Sequence, residues 1–151
     1  MSAYVCKSLK PTDVLPPCVY GEYGDDAMSK IDDRILQAAD KLCDHLNARI
    51  VVNTWFKGGK FSDRGYRTTD SKTGTVHSPH KRGEALDADF YNVAGVRIEP
   101  DLVRREILLH PEVFWPYITR IEIGINWVHF DCVDTDCLFT VEFSPSKQVA
   151  T

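Results

Sequence analysis

His80 and Asp87 lie seven residues apart in the stretch "SPHKRGEALDADF", and their types and spacing suit a metal ion. Gly83, between them, allows the loop that carries His80 to turn back toward the segment that carries Asp87. An imidazole and a carboxylate that meet at one point can be two ligands of zinc. Catalytic zinc sites use three protein ligands and keep a further position for water, so a third ligand is needed.

His129, in the stretch "NWVHFDC", is the candidate for the third ligand. It is flanked by the apolar Val128 and Phe130, and because side chains alternate along a strand, its ring should lie on the face opposite theirs. Asp131 shares that face with His129. It is expected to accept the second ring proton, the arrangement that orients a metal-binding histidine.

Two other histidines illustrate a role without metal. His45 is placed on the polar side of a predicted helix, and His110 near the C-terminus of another, where a positive charge is favoured. A histidine in a strand is also commonly a hydrogen-bonded structural residue. Spacing alone therefore leaves both a metal site and a structural role open for His80 and His129.

The elements that must position these residues follow from hydrophobic periodicity. An amphipathic helix is predicted over roughly Ala27 to Asn47, and a second from Pro100 to about Leu109. Strands are predicted for "ARIVVNTWF", "LDADFY", "ITRIEIGINWVHFDC" and "CLFTVEF", the last two as antiparallel strands, while about the first 24 residues should be irregular. The predicted fold class is α+β, with an antiparallel sheet, flanking helices and the zinc site on the sheet.

Length and charge limit the remaining possibilities. The 151 residues fit a single domain over residues 1–151, and the net charge of −4 argues against a broad nucleic-acid-binding surface. No apolar run is long enough to cross a membrane, and the N-terminus has no apolar signal-peptide core. We expect a monomer that is made and folded in a cytoplasm.

The five cysteines are odd in number and have no paired CxxC spacing, so free thiols are expected rather than a disulfide framework or a cysteine zinc cluster. Cys132 and Cys137 flank a turn-like "VDTD". A bridge between them is expected only in an oxidising compartment.

Two ordered motifs add to this interpretation. "SPHKRGEALD" matches SxHxxGxAxD and "WVHFD" matches WxHxD, and together they resemble the zinc D-Ala-D-Ala carboxypeptidase family. That family includes bacteriophage L-alanyl-D-glutamate endopeptidases and shares its metal-site fold with the hedgehog signalling domain. The resemblance covers about Asn53 to Cys132 and includes a GYR element upstream of the first ligand.

The resemblance implies a role for each matched position. His80, Asp87 and His129 would bind Zn²⁺, and Arg67 of the GYR element would hold a substrate carboxylate or carbonyl rather than support folding, with Arg64 as a substitute. Ser78 would anchor the substrate backbone or brace the loop, since water is the nucleophile in this family.

The catalytic base is the point at which this chain departs from the family. Relatives carry an acid three residues before the last ligand or a histidine two residues before it, where this chain has Asn126 and Trp127. Glu122 is our prediction for the base, because the "GIN" turn would fold it back over the metal. The weaker candidates are Glu84 and Asp131.

Three functions follow as expectations. The first is a zinc peptidase that cleaves a D-amino-acid-containing stem peptide of bacterial peptidoglycan, as a phage lysis or virion enzyme acting at the host wall. The second is a non-catalytic, zinc-stabilised binding or virion module, which the missing acid at Asn126 keeps open. The third is a cytosolic dipeptidase acting on D-Ala-D-Ala. Carboxypeptidase and endopeptidase activities stay unresolved, because relatives of both kinds share these motifs.

Overall fold

The computed structural model describes residues 4–137 and 139–142 of the chain. The strands are β1 (Arg49–Val51), β2 (Ala85–Tyr91), β3 (Arg120–Ile123), β4 (Val128–Asp131) and β5 (Phe139–Glu142). The α-helices are α1 (Pro11–Val14), α2 (Pro17–Tyr23), α3 (Asp33–Leu46), α4 (Pro100–Leu109) and α5 (Pro111–Phe114). Short 3₁₀ helices cover Gly24–Lys30, Trp55–Lys57 and Pro79–Arg82.

The strands form one sheet in the order β1-β2-β4-β3-β5. Neighbouring strands are antiparallel except β3 and β5, which are parallel. The predicted α+β class is confirmed, but the prediction of an antiparallel strand for "CLFTVEF" is wrong. Both edges of β4 are already occupied by β2 and β3, so β5 pairs with the outer edge of β3 instead. Leu138 and Phe143 of that segment lie outside the described residues.

The sheet has an apolar face and a polar face near its centre. Leu86, Ala88 and Phe90 of β2 are fully buried in the hydrophobic core, together with apolar residues of α3 and β4. Each large apolar side chain buried in this way stabilises the fold by about 1.5–3 kcal/mol. Asp87 and Asp89 alternate with these residues, so the pleat directs their side chains to the opposite face.

Helix α3 covers the apolar face and begins later than predicted. The Asp32 side chain accepts a hydrogen bond from the Arg34 N–H and so caps the first turn. Residues 24–30 form a separate 3₁₀ helix, so the predicted start near Ala27 is wrong. The helix ends at Leu46, and its C-cap residue Asn47 has a left-handed backbone conformation with φ of 50°.

Two further predictions differ from the structure. The N-terminal segment is not irregular throughout, because Pro11 and Pro17 each occupy a first-turn position, where the lack of an N–H costs nothing, and start α1 and α2. The strand predicted for "ARIVVNTWF" ends at Val51. Beyond it the backbone leaves the sheet, since the Asn53 N–H donates to the Asp13 carbonyl.

The other elements agree with the sequence. Helix α4 spans the predicted Pro100–Leu109, and β2 contains the predicted "LDADFY". The five cysteines all lie within the described residues and are free thiols. Among the described residues, no helix has both the length and the apolar character that a membrane span requires.

Candidate metal centre

The polar face of the sheet brings Asp87 and His129 together. They are directly opposite each other in the antiparallel pair formed by β2 and β4, where facing side chains are close neighbours. The Nδ1 atom of His129 lies 2.8 Å from Oδ1 of Asp87. The core residues on either side fix this arrangement, because a register slip of one residue in either strand would turn that strand's polar side chain into the core.

His80 reaches the same point from a loop above this face. It lies in the 3₁₀ helix Pro79–Arg82, where the Ser78 hydroxyl accepts a hydrogen bond from its backbone N–H at 3.3 Å. Gly83 ends this helix with φ of 72°, and a Cβ there would lie 1.9 Å from the Lys30 carbonyl oxygen. Only glycine fits this approach, so Gly83 fixes the loop that positions His80.

The second ring nitrogen of each histidine also has an oxygen partner. His80 donates from Nδ1 to the carbonyl of Gly65 at 2.9 Å, and its Nε2 lies 3.3 Å from Oδ2 of Asp87. His129 donates from Nε2 to Asp131 at 3.0 Å. Arg120 holds both oxygens of Asp131, at 2.9 and 3.0 Å. In the neutral rings that metal binding requires, these outer contacts would select the tautomers whose lone pairs point at Asp87.

The three side chains fit a tetrahedral metal ion. His80, Asp87 and His129 each offer a ligand atom, and these atoms all lie within 4.8 Å of one another. Two ligands on a tetrahedral ion with bonds of about 2.0 Å are about 3.3 Å apart, close to the separations given above. Two nitrogens and one carboxylate suit zinc or a similar transition metal better than magnesium or calcium, which prefer oxygen.

Burial and charge act together on these groups. The side chains are nearly inaccessible, with residue exposures of 3% for His80, 7% for Asp87 and 4% for His129. Burial raises the pKa of the Asp87 carboxyl, but the neighbouring His80 and His129 outweigh it and hold that pKa well below its ordinary value. Burial lowers the pKa of His129, but hydrogen bonds to Asp131 and Asp87 outweigh it and raise that pKa to about 10.

This raised pKa predicts that zinc binding releases a proton from His129. Without metal, the charged ring stabilises the fold below its ordinary pKa of 6.5, and this contribution is lost as the pH rises through about 10. Zinc requires the neutral ring, so its apparent affinity should rise about tenfold per pH unit between about pH 6.5 and about pH 8. Calorimetry in two buffers with different ionisation enthalpies measures the released protons. An affinity independent of pH would contradict the assignment.

Arg67 lies beside this group and is itself buried, with 8% exposure. Its Nη2 donates to Oδ2 of Asp87 at 3.2 Å, and its Nε donates to the Asp63 carbonyl at 2.7 Å. The backbone N–H of Arg67 donates to the His80 carbonyl. Arg67 therefore supports the loop around the site, a structural role that the sequence did not indicate.

Replacing Arg67 with alanine is expected to destabilise the metal-free protein by about 1–3 kcal/mol, because the buried Asp87 loses a charged hydrogen-bond donor while His129 stays beside it. Zinc should reduce this loss, since the cation compensates Asp87 in place of the guanidinium. Chemical denaturation with and without zinc measures both effects. Arg82→Ala is the matched control, because that arginine is 48% exposed and its pair with Glu84 should contribute little. Equal losses of stability in Arg67→Ala and Arg82→Ala would contradict a structural role for Arg67.

The Arg64 side chain takes part in a neighbouring network, while its backbone carbonyl accepts a hydrogen bond from the Asp87 N–H at 2.8 Å. Its Nη1 lies 3.1 Å from Asp89, which also receives Arg97 at 2.7 Å. Arg97 in turn donates to the side chain and backbone carbonyl of Asn126. Asn126 is exposed and is held by Arg97 rather than directed at the three candidate ligands.

The three candidate bases have different surroundings. Glu122 lies on β3, its side chain is 26% exposed, and its Oε1 is 3.9 Å from Nε2 of His129. It approaches the ring nitrogen that faces Asp131 rather than the one that faces Asp87. Asp131 is 1% exposed and engaged by Arg120 and His129, while Glu84 pairs with Arg82. Glu122 is therefore the candidate with the most accessible carboxylate beside a proposed ligand.

Comparisons with protein-family models, with curated proteins and with solved structures each found no match. The role of the buried group is therefore inferred from its own chemistry and from the motifs that contain it.

Two residues support the site although sequence reasoning assigned neither of them a role. Gly65 supplies the carbonyl that orients His80, and a Cβ on it would lie 2.3 Å from the Val14 carbonyl oxygen. Arg120 anchors Asp131 and lies directly opposite it in the β3–β4 pair. The alternation of Arg120 with Glu122 in "RIEIG" was a usable signal, because it puts both residues on one face of a strand.

Proposed function

We propose that the chain is a zinc peptidase that hydrolyses D-amino-acid-containing stem peptides of bacterial peptidoglycan. The observation that carries the proposal is the convergence of His80, Asp87 and His129, the positions that match the two motifs, into one buried group. Asp87 and His129 belong to different motifs and are 42 residues apart in the sequence. Chance alone would not be expected to bring them into direct contact. Zinc in such a group polarises a carbonyl and lowers the pKa of a bound water.

The chain's own residues would divide the remaining work. Glu122 would accept a proton from the attacking water and deliver it to the leaving amine, which requires its flexible side chain to turn from Nε2 of His129 toward the substrate. Catalytic hydrogen bonds are often long before substrate binds, so the 3.9 Å separation is compatible with this role.

Arg67 would bind the substrate in addition to supporting the loop. Its contacts with Asp63 and Asp87 use Nε and Nη2, and the proposal assigns Nη1 to a substrate carboxylate or carbonyl. Nη1 lies beside Gly74, where a Cβ would come within 2.7 Å of it, so glycine at this position lets the loop pass close to the guanidinium. A planar, permanently charged group suits carboxylate recognition.

The structure also offers a reason to consider a second function, a non-catalytic metal-stabilised binding module. The three proposed ligands are 3–7% exposed, and structural zinc sites are closed whereas catalytic ones keep a position open. Asn126, bound by Arg97, cannot serve as a base. In this case zinc would stabilise the fold without turnover.

Incubation of the zinc-loaded protein with defined muropeptides separates these functions. Mass spectrometry distinguishes release of free D-alanine, which shows a carboxypeptidase, from a new internal amine, which shows an endopeptidase. D-Ala-D-Ala alone tests the dipeptidase. We expect hydrolysis of a stem peptide that is lost in His129→Ala. An intact substrate in every reaction, with zinc bound, would overturn the peptidase and favour the binding module.

A further inference from the structure

A second histidine–carboxylate group lies away from the sheet, where the C-terminal ends of α3 and α4 meet. His45 is in the last turn of α3, Glu106 is in α4 and His110 caps the end of α4. Nε2 of His45 is 2.9 Å from Oε1 of Glu106, and Nε2 of His110 is 3.6 Å from the same oxygen. Each of these residues offers a ligand atom within 4.8 Å of the other two.

The geometry resembles that expected around a tetrahedral ion. The separations of 2.9 and 3.6 Å lie on either side of the roughly 3.3 Å that a tetrahedral ion with 2.0 Å bonds imposes on its ligands. The side chains are partly exposed, at 22% for His45, 30% for Glu106 and 38% for His110. A metal ion could therefore enter from solvent, and a water could complete its coordination.

Neighbouring groups hold the two rings in place. Oε2 of Glu112 lies 3.1 Å from Nδ1 of His110, so that nitrogen donates outward and Nε2 is directed toward Glu106. A carboxylate behind a ligand histidine is the usual orienting contact in metal sites. The ring of His45 packs edge-on against Phe114 at 5.4 Å and lies 4.7 Å from the ring of His110.

The local electrostatics favour a cation at this point. The C-terminal ends of α3 and α4 converge here, and a helix C-terminus carries partial negative charge. Glu106 and Glu112 add two carboxylates. One divalent ion shared by the two rings and Glu106 would give all three side chains a common partner.

We propose that His45, Glu106 and His110 form a second metal site for a divalent late transition metal such as zinc. It shares no residue with the buried group, and it stands whether or not the chain is a peptidase. The ion would cross-link α3 to the end of α4 and the start of α5, which are distant in the sequence. An ion-pair cluster without metal is the alternative.

Zinc titration of the chelator-treated His129→Ala protein tests the site, because that change removes a ligand of the buried group. We expect one equivalent of zinc to remain bound and to be lost when His110→Ala or His45→Asn is added. His77→Ala is the matched control, since this exposed histidine belongs to neither group. Circular dichroism of each variant verifies that it is folded.

A second readout is thermal. At a zinc concentration about a hundredfold above Kd, the melting temperature of folded His129→Ala should rise by about 5–10 °C, and this rise should disappear with His110→Ala but not with His77→Ala. The proposal would be overturned if folded His129→Ala bound no zinc. It would also be overturned if the bound equivalent of zinc persisted after both His45 and His110 were replaced. Loss of that equivalent with His77→Ala would do so as well.

Discussion

Replacing His129 with alanine is expected to abolish zinc binding at the buried group, which would then retain only His80 and Asp87. Two ligands cannot complete the three-ligand set of a catalytic zinc ion, and the lost ring also leaves Asp131 without its partner across Nε2. Peptide hydrolysis should disappear with the metal. Zinc content after dialysis, measured by mass spectrometry against protein concentration in a His110→Ala background, reports the loss at this group.

Asp131→Asn provides a graded control for this result. The asparagine oxygen can still accept from Nε2 of His129, but the negative charge that raises the basicity of the ring is gone. Changes at such an orienting residue typically weaken metal binding 10–100-fold, so zinc should bind at higher concentrations. The group formed by His45, Glu106 and His110 would also bind zinc. Both variants are therefore best measured in combination with His110→Ala. If the protein that carries both His129→Ala and His110→Ala still bound one equivalent of zinc, His129 would not be a ligand of the buried group.

Replacing Glu122 with glutamine is expected to lower the rate of peptide hydrolysis by about two to four orders of magnitude. Glutamine keeps the length and hydrogen-bonding reach of the side chain but cannot accept a proton. Zinc content should be unchanged, because Glu122 lies 3.9 Å from the outward-facing nitrogen of His129 and is not one of the three proposed ligands. Steady-state rates on the cleaved muropeptide, with zinc content measured on the same sample, test both statements.

Glu84→Gln is the control for this change, because Glu84 was also considered as a base but pairs with Arg82 on the exposed side of the loop. It should retain most of the activity. If Glu122→Gln stays active and Glu84→Gln does not, the base has been assigned to the wrong residue. An unmodified protein that is inactive on every muropeptide would instead leave the metal group as part of a binding module.

The sequence was sufficient to identify the metal candidates because strand alternation is a local property. Asp87 and His129 each lie between core residues, so the period of two predicts their face without knowledge of the tertiary structure. The pairing of Asp131 with Nε2 of His129 followed from the same alternation. Which strands are neighbours, and that Asp87 directly faces His129, depends on long-range pairing and could not be obtained in this way.

The residues that sequence reasoning missed are those whose role depends on packing between distant segments. The motif assigned Arg67 to substrate, but it did not predict that the side chain is also buried against Asp87, which happens because the loop folds down over the sheet. His45 and His110 were each interpreted alone as structural histidines. They meet only because α3 packs near the junction of α4 and α5, a contact that no local pattern predicts. The parallel pairing of β5 has the same origin.

An anomalous difference map from crystals of the zinc-loaded protein, recorded at the zinc absorption edge, tests the central claim most directly. The account predicts a strong peak about 2.0 Å from Nε2 of His80, from Nδ1 of His129 and from a carboxylate oxygen of Asp87. The absence of a peak among these three side chains, in a map from a crystal of folded protein saturated with zinc, would contradict this claim.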